Sequence, residues 1–353
     1  MAGSASDVEL YPARERVADP VCSICIANYN GTGLLAECLD SIFAQAAEIA
    51  LEVLVHDDAS TDGSVEWLRE RYPQVELLAA RSNVGFCIGN NRMVAHARGR
   101  YVLLLNNDAA LQPGALRALL GVAAQQATPC IATLPQYDWA SGELVDRGCR
   151  LDLFYNPVPN LDVARRQVAI TIGACLFLPR SLWEELGGFP EWMGSLAEDM
   201  YLCCLARLRG VPVLVAQESG YIHRQGASFG GNRVDAGRLN TTFRRRRLSE
   251  RNKTAVMVVC TPTIAVWPLL TLHAAALLLE GLALALVKRD ARVWSEIYLP
   301  TLRYIASDFR ALRQRRRVAQ GMRRASLAAY LRDVVLFPRK LSMLGRYGIP
   351  HIR

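Results

Sequence analysis

Residues 101–108 read Tyr-Val-Leu-Leu-Leu-Asn-Asn-Asp, an apolar run that ends in two amides and a carboxylate. Five strand-forming or apolar residues in succession indicate a strand buried on both faces, which is typical of a parallel sheet. The polar residues then lie at the carboxyl edge of the sheet, where open α/β sheets bind their ligands. We therefore expect Asp108 to belong to a functional site, with a buried strand ending in an ordinary polar turn as the alternative.

Strand and helix patterns alternate on both sides of this octapeptide. Apolar runs with strand character occupy residues 21–27, 51–55, 75–79, 130–134, 169–178 and 211–215, and segments with helical spacing lie between most of them. This alternation predicts right-handed βαβ units and a mostly parallel sheet flanked by helices. The span 136–167 lacks such a pattern and is too long for a simple connection, so we expect either a functional loop or a small β-insertion.

Charge is distributed unevenly along the 353 residues. Residues 1–243 contain 19 Lys/Arg and 27 Asp/Glu, a net charge of −8, whereas residues 244–353 contain 22 and 6, a net charge of +16. We divide the chain into an N-terminal extension (1–20), an α/β domain (21–243) and a basic, apolar helical region (244–353). The excess of arginine predicts an anionic partner for the last region.

An uncharged apolar stretch follows the first arginines of the basic region. Residues 254–279 contain no Asp, Glu, Lys or Arg, and 26 residues are enough to cross a hydrocarbon core. Pro262, Pro268 and His273 interrupt the stretch, and both of its flanks are basic. We favour a broken helical hairpin that rests in one leaflet of an anionic membrane, with a single span as the alternative. Because the arginine runs lack interleaved stacking aromatics, no nucleic-acid partner is expected.

Ten cysteines and a polar N-terminus bear on the compartment. Cys22 and Cys25 lie in a strand pattern that would send them to opposite faces, and no second Cys-x-x-Cys follows at zinc-ribbon spacing. We expect reduced, mostly buried thiols. Residues 1–20 lack the apolar segment of a secretory signal, so we expect the protein to stay on the cytoplasmic side.

Seven short motifs follow one another along the chain, and the first four lie at or just after the ends of predicted strands. They are Asn28-Tyr29-Asn30, Asp57-Asp58-Ala59-Ser60-Thr61-Asp62-Gly63, Asn83-Val84-Gly85-Phe86 through Asn91, Asn106-Asn107-Asp108, Gly187-Gly188-Phe189-Pro190-Glu191, Glu198-Asp199 and His223. Together they resemble family 2 glycosyltransferases of the GT-A fold, a Rossmann-like α/β fold. The basic tail is similar to that of the bacterial branch containing rhamnosyltransferases of surface-polysaccharide assembly.

The resemblance implies an inverting transfer of sugar from a nucleotide-sugar donor to a lipid-linked glycan acceptor at the cytoplasmic face of the bacterial inner membrane. It favours dTDP-rhamnose as the donor, with a UDP-sugar as the alternative. It implies Mg²⁺ or Mn²⁺ at Asp108 and His223, because a hard cation stabilises the departing diphosphate. Asp199 would be the catalytic base, assisted by Glu198. The implied nucleotide-binding residues are Asn30, Asp57, Asp58, Arg81, Asn83, Asn91, Asn106 and Asn107.

Two positions depart from the family pattern. Asn106 replaces the first acid of the DxD motif, which removes one charge from the metal site, and Tyr201 stands where many relatives carry a further acid. A non-catalytic protein and a nucleic-acid-binding protein are the competing interpretations. A sugar-nucleotide nucleotidyltransferase would need a phosphate-binding loop after the first strand, which residues 30–33 lack. The oligomeric state is left open.

Overall fold

The computed structural model describes residues 7–225, 233–235 and 238–353. Within these ranges the strands are β1 (Val8–Tyr11), β2 (Cys22–Asn28), β3 (Leu51–Asp57), β4 (Val75–Ala80), β5 (Tyr101–Leu105), β6 (Ala109–Leu111), β7 (Ile131–Thr133), β8 (Gln136–Asp138), β9 (Leu144–Asp146), β10 (Cys149–Asp152), β11 (Pro157–Pro159), β12 (Gln167–Val168), β13 (Cys175–Pro179), β14 (Val213–Val215), β15 (Tyr221–His223), β16 (Arg233–Asp235), β17 (Arg238–Thr241), β18 (Val334–Val335) and β19 (His351–Ile352).

The helices of the described ranges are α1 (Thr32–Phe43), α2 (Ser64–Arg71), α3 (Phe86–His96), α4 (Ala115–Ala124), α5 (Arg180–Leu186), α6 (Glu198–Leu208), α7 (Phe243–Cys260), α8 (Val266–Lys288), α9 (Leu299–Ser307), α10 (Phe309–Gly321), α11 (Leu327–Leu331) and α12 (Arg339–Tyr347). A 3₁₀ turn at Glu191–Met193 precedes α6, and a π-helical segment at Val293–Tyr298 precedes α9.

A sheet of nine described strands forms the centre of the molecule, in the order β1-β4-β3-β2-β5-β13-β7-β14-β12. Strands β4, β3, β2 and β5 are parallel neighbours, as predicted. Beyond β5 the sheet is mixed, because β13 pairs antiparallel with both β5 and β7. A run of short strands precedes β13 where a crossover helix would be needed to make it parallel. The predicted α/β class is confirmed.

Strand β5 has the predicted bounds and lies in the interior of this sheet. Its side chains alternate between two hydrophobic clusters, with Val102 and Leu104 in one and Leu103 and Leu105 in the other. Burial of both faces explains why the run is continuously apolar. The end of β5 therefore delivers the following polar tripeptide to the carboxyl edge of the sheet.

The same alternation separates Cys22 from Cys25, which belong to different clusters. All ten cysteines are unpaired in the structure, and all are buried, as predicted. Burial raises the pKa of these thiols, for example that of Cys130 to about 11. Such cysteines behave as small apolar residues.

Three further segments refine the expectations. Residues 136–159 contain the short strands β8 to β11, so the span is a small β-insertion. The motif that runs from Asn83 to Asn91 is only partly a loop, because helix α3 already begins at Phe86. In the N-terminal extension, β1 pairs antiparallel with β4 and adds an edge strand to the sheet; residues 1–6 lie outside the described residues.

Helix α7 crosses the predicted boundary between residues 243 and 244. Its residues 255–260 are fully buried and share a hydrophobic cluster with β5. The uncharged stretch is broken, as predicted, but its first seven residues (254–260) lie inside the protein and do not face lipid. The division at residue 243 remains a prediction, and the helix that spans it packs as part of the α/β core.

Helix α8 lies on the surface and has two different faces. One face is buried and comprises Val266, Leu270, His273, Leu277 and Gly281. The opposite face exposes leucines, with Leu279 68% and Leu286 77% exposed. Of the described helices, α8 alone is long and apolar enough to cross a membrane, with a mean hydropathy of 2.0. Composition and length by themselves do not distinguish a spanning helix from one that lies flat.

An ionic cluster of Arg246, Glu250, Lys253, Glu280 and Lys340 fastens α8 to α7 and α12. Glu280 contacts Arg246 at 2.7 Å and Lys340 at 2.5 Å, while Glu250 contacts Lys340 at 2.6 Å and Lys253 at 2.7 Å. Burial would raise the pKa of Glu250, but Lys253 and Lys340 outweigh it and lower that pKa. The charged residue of α8 that interrupts its apolar sequence is therefore paired within the protein.

Candidate active site

Three side chains form a buried hydrogen-bond chain at the ends of β2, β3 and β5. Asn28 Nδ2 donates to Asp57 Oδ2 at 2.9 Å, and Asn107 Nδ2 donates to Asn28 Oδ1 at 2.9 Å. The other oxygen of Asp57 accepts the backbone N–H of Ser60. Asp57 and Asn107 are thus brought together by Asn28, and Gly31 packs so closely against Asn28 and Asn107 that a Cβ would clash with both.

Asp58 and Asn30 connect the loops around this chain. Asp58 accepts the backbone N–H groups of Val84 and Gly85, one on each oxygen, at 2.6 and 2.9 Å. Asn30 adopts a left-handed conformation (φ 49°), and its side chain accepts the backbone N–H of Thr61 at 2.8 Å. These contacts place the loop after β2 beside the loop after β3, and the loop after β3 beside the loop after β4.

The remaining predicted nucleotide residues are spread over the same edge. Arg81 and Asn83 are exposed on the loop between β4 and α3. Asn91 Nδ2 donates to the Phe189 carbonyl and its Oδ1 accepts the Phe189 N–H, both at 2.9 Å. Asn106 is half-buried directly after β5. Asn91 therefore fixes the segment before α6, while Arg81 and Asn83 are presented to solvent.

The Asp108 carboxylate and the His223 imidazole face each other across a strand pair. Antiparallel pairing of β6 with β15 sets His223 opposite Ala109. Oδ1 of Asp108 lies 3.0 Å from Nε2 of His223, and both side chains are buried. The backbone N–H of Arg224 donates to the Asp108 carbonyl at 2.9 Å, which holds the two chain segments together.

This pair fits a divalent cation. Two adjacent ligands of an octahedral ion, each about 2.1 Å from it, lie about 3.0 Å apart. In this structure the 3.0 Å contact between Oδ1 and Nε2 is a hydrogen bond, which a cation bound by both groups would replace at a similar separation of the two atoms. A carboxylate with an imidazole suits Mg²⁺ or Mn²⁺. Within the described ranges no third His, Cys, Asp or Glu joins them, so a bound ion would complete its shell with substrate phosphate or water.

Glu198 and Asp199 begin helix α6. Oδ2 of Asp199 accepts the backbone N–H of Gly173 at 2.8 Å, and Oδ1 accepts that of Met200 at 2.6 Å. The helix start favours negative charge at these positions. Leu196 and Ala197, immediately before the helix, both have left-handed backbone conformations (φ 71° and 67°), which are strained for residues with a side chain.

The two carboxylates have perturbed acidity. Burial, and next the charge of Asp199, raise the pKa of Glu198 to about 8. Burial also raises the pKa of Asp199, although its backbone hydrogen bonds oppose the shift. The positive charge of Arg245, at the start of α7, partly opposes the increase in the pKa of both carboxylates. A carboxylate with a raised pKa is a stronger base than a solvated one.

Residues 173 and 174 connect Asp199 to the segment that follows β5. Gly173 donates its N–H to Asp199, and the Ala174 carbonyl accepts the N–H of Asn106 at 3.1 Å. Asn106 lies two residues before Asp108. These contacts bring Asp199 close to the segment that follows β5.

Helix α7 supplies two residues that the sequence did not suggest. Asn252 Nδ2 contacts the carbonyls of Met193, Ser195 and Leu196 at 3.2, 2.9 and 2.7 Å, and so holds the strained turn before α6. Arg245 faces the carboxylate pair. Both belong to a segment whose composition suggested a membrane anchor. Asn28 was also not among the predicted site residues, although it stands at a strand end inside a recognised motif.

Residues 23–187 match the family model "Glycosyl transferase family 2". Chondroitin synthase of Pasteurella multocida (strain Pm70) is 30% identical over 188 residues, which are 52% of this chain and 18% of that protein. N-acetylglucosaminyl-diphospho-decaprenol L-rhamnosyltransferase of Mycobacterium tuberculosis (strain ATCC 25618 / H37Rv) is 28% identical over 187 residues, 44% of this chain and 61% of that protein. The chain therefore spans less than two thirds of the length of these relatives.

A solved structure agrees on the fold. The crystal structure of GalNAc-T7 with UDP, GalNAc and Mn²⁺ aligns with a TM-score of 0.56 and 14% sequence identity. The alignment covers 83% of this chain and 58% of the other. At this level of identity the likeness concerns the arrangement of strands and helices, which is that of a GT-A glycosyltransferase.

Proposed function

Because the chain contains a family 2 glycosyltransferase domain, matched over residues 23–187, we propose that it is an inverting, metal-dependent enzyme that transfers a sugar from a nucleotide to a lipid-linked glycan. The observation that carries the proposal is the convergence at the end of β5. Asp199 is tied to Gly173, Ala174 to Asn106, and Asp108 to His223. In this proposal Asp199 and the Asp108–His223 pair flank one reaction centre.

Asp199 is the proposed base. In an inverting transfer the acceptor oxygen bonds to the anomeric carbon as the carbon–phosphate oxygen bond breaks, and the acceptor proton passes to a carboxylate on the acceptor side. Each oxygen of Asp199 accepts one backbone hydrogen bond, which fixes the group and leaves a lone pair for the acceptor hydroxyl. Glu198, whose pKa is raised by burial and by the charge of Asp199, would orient the acceptor or the base.

Asp108 and His223 are the proposed metal-binding residues. A cation bound there would act as a Lewis acid that neutralises charge on the leaving diphosphate. Asn106 contributes an amide where related proteins have a carboxylate, so the donor phosphates would supply most of the negative charge. The proposed nucleotide-binding residues remain Asn30, Asp57, Asp58, Arg81, Asn83, Asn91, Asn106 and Asn107, of which Asp57 and Asp58 act by holding the loops in place.

For the substrates we favour dTDP-rhamnose as the donor, with a UDP-sugar as the alternative, and a lipid-linked glycan as the acceptor. The similarity to a decaprenol-dependent L-rhamnosyltransferase supports this choice. A role in bacterial cell-surface polysaccharide synthesis follows from such an acceptor.

The surface of α8 supports a location on an anionic membrane, at the cytoplasmic face of the inner membrane. Glu280 and His273 lie toward the protein, where Glu280 joins the ionic cluster and Nε2 of His273 is 2.8 Å from the Thr254 hydroxyl. The opposite face is apolar and exposed. A helix that is polar toward the protein and apolar outward suits a position in the plane of one leaflet better than a span.

The test is a panel of nucleotide sugars, each incubated with the full chain and with Mg²⁺, Mn²⁺ or EDTA. Release of nucleotide and thermal stabilisation are both measured. We expect one nucleotide sugar to be hydrolysed slowly and to raise the melting temperature in a metal-dependent way, with dTDP-rhamnose the first candidate. Stabilisation without turnover, for every sugar and for lipid extracts as acceptor, would instead indicate a non-catalytic protein.

A further inference from the structure

A basic concavity of about 540 Å³ lies between α10 and the junction of α7 with α8. Its lining includes Arg313, Arg316, Arg317 and Arg323, together with Ile264 and Trp267. No acidic side chain lines it, and none of the residues of the candidate active site does. We call this concavity the arginine pocket.

The charge of the pocket is not neutralised locally. Residues 309–332 contain eight arginines and no aspartate or glutamate. Arg316 is fixed because its Nη1 donates to the carbonyls of Val258 and Thr261 at 2.9 and 2.6 Å and its Nη2 to that of Thr263, which leaves part of the guanidinium for an anion. Arg313, Arg317 and Arg323 are exposed, and in the described part of the chain none of them forms an ion pair. A fixed guanidinium beside three uncompensated ones is suited to an anion with several oxygens.

The rim of the pocket is apolar and continuous with α8. Ile264 is 80% exposed and lies two residues before α8, whose first exposed leucine is Leu272. Trp267 lines the pocket from the first turn of that helix. Tryptophan and arginine together are typical of the level at which lipid headgroups meet hydrocarbon. Arg315, by contrast, turns away and stacks over Trp192 at 4.3 Å, next to the segment that precedes α6.

We propose that the arginine pocket binds the phosphate headgroup of an anionic membrane lipid and so sets the depth and orientation of the enzyme on the membrane. The inference rests on the membrane location proposed for α8. The phosphate lies among Arg313, Arg316, Arg317 and Arg323, while the acyl chains follow the exposed face of α8. Arginine binds phosphate through two parallel N–H donors, which a lysine cannot reproduce.

The test is vesicle flotation with the full chain and two double variants. Arg317→Ala with Arg323→Ala removes two exposed arginines of the pocket, while Arg303→Ala with Arg332→Ala removes two exposed arginines outside it. Vesicles are phosphatidylcholine alone or with about one third phosphatidylglycerol. We expect the pocket variant to bind the anionic vesicles at least about tenfold more weakly than the wild type, and the control variant to lose less than about threefold. Equal losses of vesicle binding in the two variants would contradict a specific site and would indicate that the whole basic surface contributes.

Two further arms identify the source of the anion and separate this inference from the enzymatic proposal. Inorganic phosphate at millimolar concentration, or a DNA duplex, should not displace the protein from anionic vesicles; displacement by either contradicts a lipid site. Nucleotide-sugar hydrolysis without vesicles should be equal in the pocket variant and the wild type. If only the pocket variant loses vesicle binding, the lipid site is supported whether or not hydrolysis is found. The lipid site and the enzymatic proposal can therefore be refuted independently of each other.

Discussion

Oδ1 of Asp108 lies 3.0 Å from Nε2 of His223, although 115 residues separate the two in sequence. The two side chains are brought together by the antiparallel pairing of two short strands. One is β6, which follows β5, and the other is β15, which ends at His223. The contact between Asp108 and His223 is a buried hydrogen bond, which a cation bound by both groups would replace. The metal-binding half of the proposed site depends on this pair.

Removing either ligand should abolish metal-dependent donor binding. In Asp108→Ala or His223→Ala we expect the affinity for the preferred nucleotide sugar in the presence of Mn²⁺ to fall at least about tenfold. In EDTA the variants and the wild type should bind alike. Calorimetry with and without metal measures both. Glu218→Ala, an exposed acid on the loop before β15, is the control; equal metal dependence in Asp108→Ala would refute the assignment.

The sequence predicted the carboxyl end of β5 well because a strand buried on both faces must be continuously apolar, and Asp108 ends that run. It did not predict how His223 approaches. Strands β6 and β15 have three residues each, which is too short for an alternating pattern to be recognised. The antiparallel direction of β13 was also missed, because pairing direction is set by the preceding connection and not by the residues of the strand.

The role of α7 was hidden for a different reason. A helix in the core of a protein and a helix in lipid are both apolar all round, so hydropathy cannot tell residues 255–260 from a membrane segment. Asn252 lies in the polar run 249–254 that precedes this segment, where nothing distinguishes it from its neighbours. Only the packed structure shows that it holds the turn before α6.

Asn252→Ala should damage both folding and transfer. The carbonyls of Ser195 and Leu196 would lose the Asn252 donor, which we expect to lower the free energy of unfolding by about 2 kcal/mol. The start of α6 would shift, and a displacement of the base by about 1 Å lowers kcat roughly 100-fold. Arg247→Ala, exposed on the same helix, should change stability by less than about 0.5 kcal/mol. Denaturant unfolding and transfer rates test both variants. If Asn252→Ala had the stability and the rate of the wild type, the turn before α6 would not depend on Asn252.

Glu198 should make the protein less stable as the pH rises. Burial and the charge of Asp199 raise its pKa from 4.5 to about 8, so the folded state binds the proton more tightly than the unfolded chain. This contribution to stability is complete below the unfolded pKa and is lost as the pH rises toward 8. In Glu198→Gln this loss should be absent, so the decrease in the free energy of unfolding between pH 5 and pH 8 should be at least about 1 kcal/mol smaller than in the wild type. An unchanged pH profile, identical to that of Glu218→Gln, would contradict the raised pKa.

The outward face of α8 should determine membrane partition. Leu279→Glu places a charge on a side chain that is 68% exposed in the protein, so folding should be preserved while vesicle binding falls at least about tenfold. Leu161→Glu, at a leucine 59% exposed on the β-insertion, is the matched control and should leave partition unchanged. Flotation on anionic vesicles distinguishes them. Equal partition of the two variants would mean that α8 does not enter lipid.

The most direct test of the central claim is the transfer rate and donor affinity of Asp199→Asn. The amide keeps the size of the side chain but cannot take a proton. We expect kcat to fall between about 100-fold and 10,000-fold, while donor affinity in the presence of metal stays within about threefold of the wild type. Asp162→Asn, an exposed aspartate of the β-insertion, should transfer normally. Transfer by Asp199→Asn at the wild-type rate would contradict the assignment of Asp199 as the base.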